Sequence, residues 1–193
     1  MRAEWAETDA FSLLLTALMP ENELALRVSM ATGLRISDVL ALKTEQLQKA
    51  VKSNFRISVK EHKTNKIKRV YVPKALAFAM LKISGHIYIF EHRTDYTKHR
   101  TRQAVFKDLR RVAKLYRIGG ELVKQHISPH SARKIYAVDL MHKTGSVEKV
   151  QQALNHSDPQ VTLLYALADE LTKKRGEKRG EKMSKPESSE VEN

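Results

Sequence analysis

Four short segments of the 193-residue chain hold side chains suited to phosphate or proton chemistry. ATGLRISDVLAL places Arg35 just after a glycine, near a helix start, with Asp38 one turn on. KEHKTNKIKRVYVP puts Lys63 between two runs of alternating apolar residues. SPHSARKIYAVDL sets His130 and Arg133 three apart at a helix start, so that both project from one face. LNHSDPQVTLLYAL carries His156 and, nine positions later, Tyr165. A guanidinium stays charged and grips phosphate oxygens as a bidentate fork. An imidazole exchanges protons near neutrality. A phenol, with a pKa of about 10, attacks only in a positively charged surround. Taken singly, each residue has an ordinary alternative: a surface arginine, a solvated loop histidine, a tyrosine packed in a core.

The elements that must position these groups follow from periodicity. Residues 9–31 have helical apolar spacing in two pieces broken at Pro20, and Gly33 ends the second piece. Ser37 is read as the N-cap of the next helix. FRISVK and KRVYV alternate with period two on either side of EHKTNKI, which predicts a β-hairpin with Lys63 at its tip. Pro73 stops the second strand and suits the first turn of a helix over 74–81. HIYIF (86–90) reads as a short strand or buried segment, and the polar stretch after it as a loop. A basic amphipathic helix is predicted from Thr101 to Tyr116, with Val105, Leu109, Val112 and Leu115 on its apolar face, ended by Gly119 and Gly120. Helices over 131–143, 146–154 and 159–171 complete the fold. The expected class is α+β, a mostly helical single domain with a small antiparallel β-sheet. The domain is expected over 1–171, with a polar disordered tail over 172–193.

Composition narrows the function. There is no cysteine, which excludes thiolate catalysis, disulfides and Cys-built metal sites. No run of about 18 apolar residues exists to span a bilayer. MRAEWAETD lacks the apolar core of a secretory signal, and a soluble cytoplasmic protein is expected. Thirty-five Lys and Arg against 22 Asp and Glu give a formal charge of +13. The stretch from Thr172 onward holds seven bases and five acids, so +11 belongs to the residues before it. A surface of that sign favours a polyanion, and nucleic acid is the commonest one.

The order Arg35, Lys63, His130-x-x-Arg133, His156, Tyr165 resembles the catalytic domain of the tyrosine recombinases, the phage integrase family, over about Phe11 to Ala168. TGLRISD, HKTNK, HSAR and LNHSDPQVTLLY carry the resemblance. Two departures stand out. Asn155 precedes the second histidine where the family usually has glycine, and the chain begins about where the catalytic domain does, so that no separate N-terminal core-binding domain is expected in it, whether it is a truncated piece or a naturally short enzyme. The resemblance implies a site-specific recombinase that cleaves and rejoins double-stranded DNA. Tyr165 would form a 3′-phosphotyrosyl link, Arg35 and Arg133 would neutralise the phosphate, and His130 and His156 would add hydrogen bonds or take the phenol proton. Lys63 would protonate the leaving 5′-oxygen. It further implies no cofactor, no metal and no ATP, and a homotetramer on synapsed DNA. Asp38 is read as a buttress for Arg35 or a neighbouring helix. The basic side chains Arg100, Arg102, Lys107, Arg110, Arg111 and Lys114 are read as DNA contacts, with a solvated face as the alternative. The rival function is a DNA-binding module or regulator, derived from an integrase, without strand transfer.

Overall fold

The computed structural model describes residues 8–62, 65–115, 117–118, 121–122 and 127–154. The helix and tail expected beyond residue 154 lie outside them. Helices α1 (Thr8–Leu15) and α2 (Pro20–Thr32) are separate, with Pro20 at the first helical position of α2, where its missing N–H costs nothing. Asp108, on the basic helix, secures this junction: one carboxylate oxygen accepts from the Met19 N–H and the Asn22 amide, each at 2.8 Å. Gly33 ends α2 in the left-handed conformation at φ 67°. The short α3 (Ile36–Leu40) then starts with Arg35, not Ser37, at its N-cap. A helix α4 (Thr44–Val51), which the sequence did not announce, precedes the hairpin.

Strands β1 (Arg56–Lys60) and β2 (Ile67–Tyr71) pair antiparallel, with Ile57 opposite Val70 and Val59 opposite Lys68. Side chains directly opposite share a face, and Ile57, Val59 and Val70 are buried. Helix α5 (Lys74–Ile83) follows Pro73. HIYIF forms no strand; one isolated bridge joins Lys43 to Tyr88, while Ile89 and Phe90 are buried. The basic helix α6 (Arg102–Leu115) buries Val105, Leu109 and Val112 as expected, but Leu115 is 72% exposed. Strands β3 (Arg117–Ile118) and β4 (Glu121–Leu122) make a second, minimal antiparallel pair. Helices α7 (Pro129–Thr144) and α8 (Val147–Leu154) end the described chain.

One core joins these pieces. Phe11, Leu14 and Leu15 of α1, Leu26 of α2, Leu34, Leu40, Leu47, Met80 and Leu109 are fully buried in it. Each such leucine contributes about 1.5–3 kcal/mol through its removal from water. A smaller cluster of Ala137, Val150 and Leu154 holds α8 against α7. Helix α7 packs along α2, and that contact lays the HSAR segment over the TGLR segment.

Candidate active site

The site is assembled at the C-terminus of α2. There the Ser29 hydroxyl donates to the Leu34 carbonyl and the Thr32 hydroxyl to the Val28 carbonyl, each at 2.7 Å. The turn is thereby closed internally. Gly33 is required on two counts: a side chain is strained at positive φ, and an added Cβ would sit 2.4 Å from Cε1 of Tyr136. Gly33→Ala is expected to cost about 2 kcal/mol or more, read as a lowered denaturation midpoint with unchanged slope.

Arg35 leaves this turn in extended backbone and reaches the turn end of the hairpin, where Nη1 lies 3.0 Å from Oε2 of Glu61. Glu61 is wholly buried. Its N–H donates to the Lys66 carbonyl at 3.0 Å, and the Asn65 N–H donates back to the Glu61 carbonyl at 2.9 Å, which closes the connection between β1 and β2. Asp38, also buried, accepts the His62 N–H on Oδ1 at 3.1 Å. Asp38 thus buttresses the hairpin entrance, and the carboxylate that holds Arg35 is Glu61, which the sequence reading passed over as part of a polar loop.

Arg133 is buried, one turn into α7. Nη1 donates to the Gly33 carbonyl and Nη2 to the Leu154 carbonyl at the end of α8. Two donors of the fork are therefore fixed, which sets its plane and joins α7, α2 and α8. His130 starts the same helix at the rim, where the Ser128 hydroxyl accepts the His130 N–H. Loss of solvent, then the positive charges of Arg102, Arg133, Arg35 and Lys134, hold its imidazole below the usual histidine pKa. That favours its neutral form, which can accept a proton.

Lys68 is the further cation of this cluster that the sequence reading passed over. It occupies the inward row of β2, opposite Val59, and Nζ approaches the Thr32 carbonyl at 3.4 Å and the Tyr136 ring centroid at 5.9 Å. Only the register of the hairpin places it there; in the sequence it is one more lysine of a basic run.

Arg35, Asp38, His130 and Arg133 are thus brought together, with Glu61 and Lys68 among them. Lys63, His156 and Tyr165 lie outside the described residues. Among the described residues no group of three His, Asp or Glu side chains has the arrangement of a metal site.

The profile of the phage integrase family matches residues 6–171. The chain belongs to that family. Among curated integrase relatives, the tyrosine recombinase XerD of Bradyrhizobium diazoefficiens is 28% identical over 155 residues, 72% of this chain and 46% of that protein. The probable integrase/recombinase YoeC of Bacillus subtilis is 27% identical over 145 residues, 73% of this chain and 74% of that protein. The chain thus spans about half the length of XerD. Among solved structures, the Tn1549 transposon integrase in complex with a circular intermediate DNA superposes with a TM-score of 0.68 at 16% identity, over 86% of this chain and 62% of that one. A lambda integrase dimer bound to a core site gives 0.66 at 17%, over 86% and 48%. The fold is that of a tyrosine recombinase catalytic domain.

On this integrase fold the basic residues of α6 divide. Arg100, just before the helix, is buried and paired with Glu21 at 3.0 Å, so it does not belong to the exposed basic face. Arg111 is exposed but tethered, to Asp108 at 2.7 Å and to the Ala17 carbonyl. Arg102, Lys107, Arg110 and Lys114 are exposed, and Phe106, Lys107, Arg110, Arg111, Lys114 and Leu115 line a shallow groove of about 590 Å³. If this face meets phosphates, replacing Arg110 and Lys114 together by alanine should reduce the slope of log affinity against log salt by about 2, at roughly 0.9 per phosphate lost. A salt titration on a duplex measures it. Arg111→Ala should instead lower stability, because Asp108 then loses its cation.

Proposed function

We propose that this chain is a site-specific DNA recombinase that breaks and rejoins strands through a covalent 3′-phosphotyrosyl intermediate on Tyr165. The observation that carries the reading is the gathering of Arg35 and Arg133, from distant segments of the chain, at one turn: Arg133 spans 100 positions to bond the Gly33 carbonyl, two residues before Arg35. A phosphodiester is anionic and resists attack, so a catalyst needs fixed cations where charge builds on the non-bridging oxygens. A buried Arg133 and a half-buried Arg35, each anchored by a partner, supply these with little reorganisation.

In this mechanism Tyr165 Oη attacks phosphorus, the bond to the 5′-oxygen breaks, and Lys63 gives that oxygen a proton. His130 or His156 takes the phenol proton. Attack by a 5′-hydroxyl from a second duplex reverses the step and exchanges the strands. Each phosphodiester is replaced by another ester of phosphate, so no ATP is needed. Strand exchange between two duplexes requires four active sites, hence a homotetramer on synapsed DNA. The test is incubation with DNA flanking the source element, followed by denaturing electrophoresis for a protein–DNA adduct. A purely DNA-binding module gives a retarded duplex and no adduct.

A further inference from the structure

The hairpin register raises a question that the strand-transfer reading leaves unanswered. On the inward row of β1 and β2, Ile57, Val59 and Val70 are apolar and buried, and the next inward position of β2 is Lys68. A lysine on a core-facing row loses hydration, and surface lysines usually extend their ammonium to water instead. Here the ammonium is drawn to the carbonyl of Thr32, while Arg133 binds the carbonyl of Gly33. Two cations from different elements therefore converge on adjacent peptides of one turn, with Arg35 two residues further on. One Oδ atom of buried Asp38 has no hydrogen-bond partner among the described residues. Three cations, Arg35, Lys68 and Arg133, thus stand against two carboxylates, Asp38 and Glu61, so the cluster keeps a surplus positive charge.

We propose that Lys68 is a third cation of the phosphate site, adding its ammonium to Arg35 and Arg133 where negative charge builds on the phosphate. This rests on the strand-transfer reading for its catalytic part only; anion binding by the cluster does not. Lys68 titrates near working pH. Burial, and then the charge of Arg133, push its ammonium down from 10.5 to about 8, with Glu61 opposing, Arg35 adding to the depression and Asp38 opposing again. The phenol of Tyr136, itself raised by burial, remains neutral beside it. An arriving phosphate adds negative charge to the cluster and strengthens the hold of Lys68 on its proton.

The first measurement is NMR of the full chain carrying lysine labelled with ¹³C at Cε, the Lys68 signal being assigned with Lys68→Arg. In the free protein Lys68 should titrate well below the ordinary lysine value. Inorganic phosphate, vanadate or a short duplex should move its midpoint up by about one unit or more, the effect of an opposite charge within a few ångströms. A midpoint that no anion moves marks Lys68 as a mere cap on α2 and overturns the proposal, whatever the cleavage activity.

The second measurement is cleavage of a nicked trapping duplex across pH. Lys68→Met should slow it by about 10²- to 10³-fold, the usual effect of removing one charge-stabilising donor. Lys68→Arg should keep most of the rate and shift the alkaline decline to higher pH. A 5′-bridging sulfur should not rescue Lys68→Met, since charge is missing there and not a proton. Wild-type rate in Lys68→Met, or full rescue by sulfur, overturns the role. A phosphate-shifted midpoint in a chain that forms no adduct keeps the cation site and removes the recombinase reading instead.

Discussion

Replacing Tyr165 by phenylalanine is expected to abolish covalent capture of DNA and to leave duplex affinity close to wild type. The substitution removes one hydroxyl and keeps the ring, so a loss of capture reports the nucleophile and not the fold. Tyr136 is the competitor within the described chain, and its surroundings disfavour it. Its ring is pressed against Gly33, and burial pushes its phenol up, with only partial opposition from Arg133. A nucleophilic phenol needs the reverse, an accessible hydroxyl whose pKa is lowered. Tyr136→Phe should therefore still capture DNA. The two variants and the wild type are compared on a nicked trapping duplex by denaturing electrophoresis. An adduct from Tyr165→Phe ends the assignment, and no adduct from any of the three favours the DNA-binding module.

How far the site could be read from sequence depends on the physics of each residue. Gly33 was legible as a helix stop because a left-handed C-terminal residue is nearly a glycine monopoly. The hairpin was legible because period-two alternation is a local signal, and its flanks at Phe55 and Pro73 were sharp. Arg35 and Arg133 were found through the resemblance, since nothing local distinguishes them from surface arginines. Glu61 and Lys68 were not found. Both sit in a polar run, and what makes them part of the site is long-range: burial of Glu61 under Arg35, and a register that turns Lys68 inward. Arg100 shows the converse. Its charge suggested DNA, but a single acid on a distant helix, Glu21, takes it. Ser37 was the better N-cap by type, yet the backbone enters α3 two residues earlier because the Gly33 turn leaves Arg35 already extended. Helix α4 escaped because its apolar residues, Leu47, Ala50 and Val51, are too few to fix a period.

Lys63→Ala is expected to slow cleavage of ordinary DNA by about 10²- to 10⁴-fold, the usual worth of a general acid, and to recover on DNA whose 5′-bridging oxygen is sulfur. A thiolate leaves without a proton, so the acid becomes dispensable on that substrate alone. Arg35→Ala and Arg133→Ala should show no comparable recovery, because in the proposed mechanism their charge serves the non-bridging oxygens, which the sulfur leaves unchanged. Arg133→Ala should also lose stability, since the carbonyls of Gly33 and Leu154 both lose their donor. The surrounding geometry says which lysines compete for the acid role. Lys60 lies on the outward row of β1, in the alternating exposed positions, and cannot turn inward without a register slip that would also expose Ile57 and Val59. Lys66 is exposed, and its backbone carbonyl is held by the Glu61 N–H. Lys68 faces inward but lies beside the two arginines. Sulfur rescue therefore sorts the hairpin by function: recovery of Lys63→Ala with no recovery of Lys68→Met separates a proton donor from a charge. Equal recovery of the Lys63, Arg35 and Arg133 variants removes Lys63 from the acid role, because a weaker leaving-group demand would then be relieving all three alike.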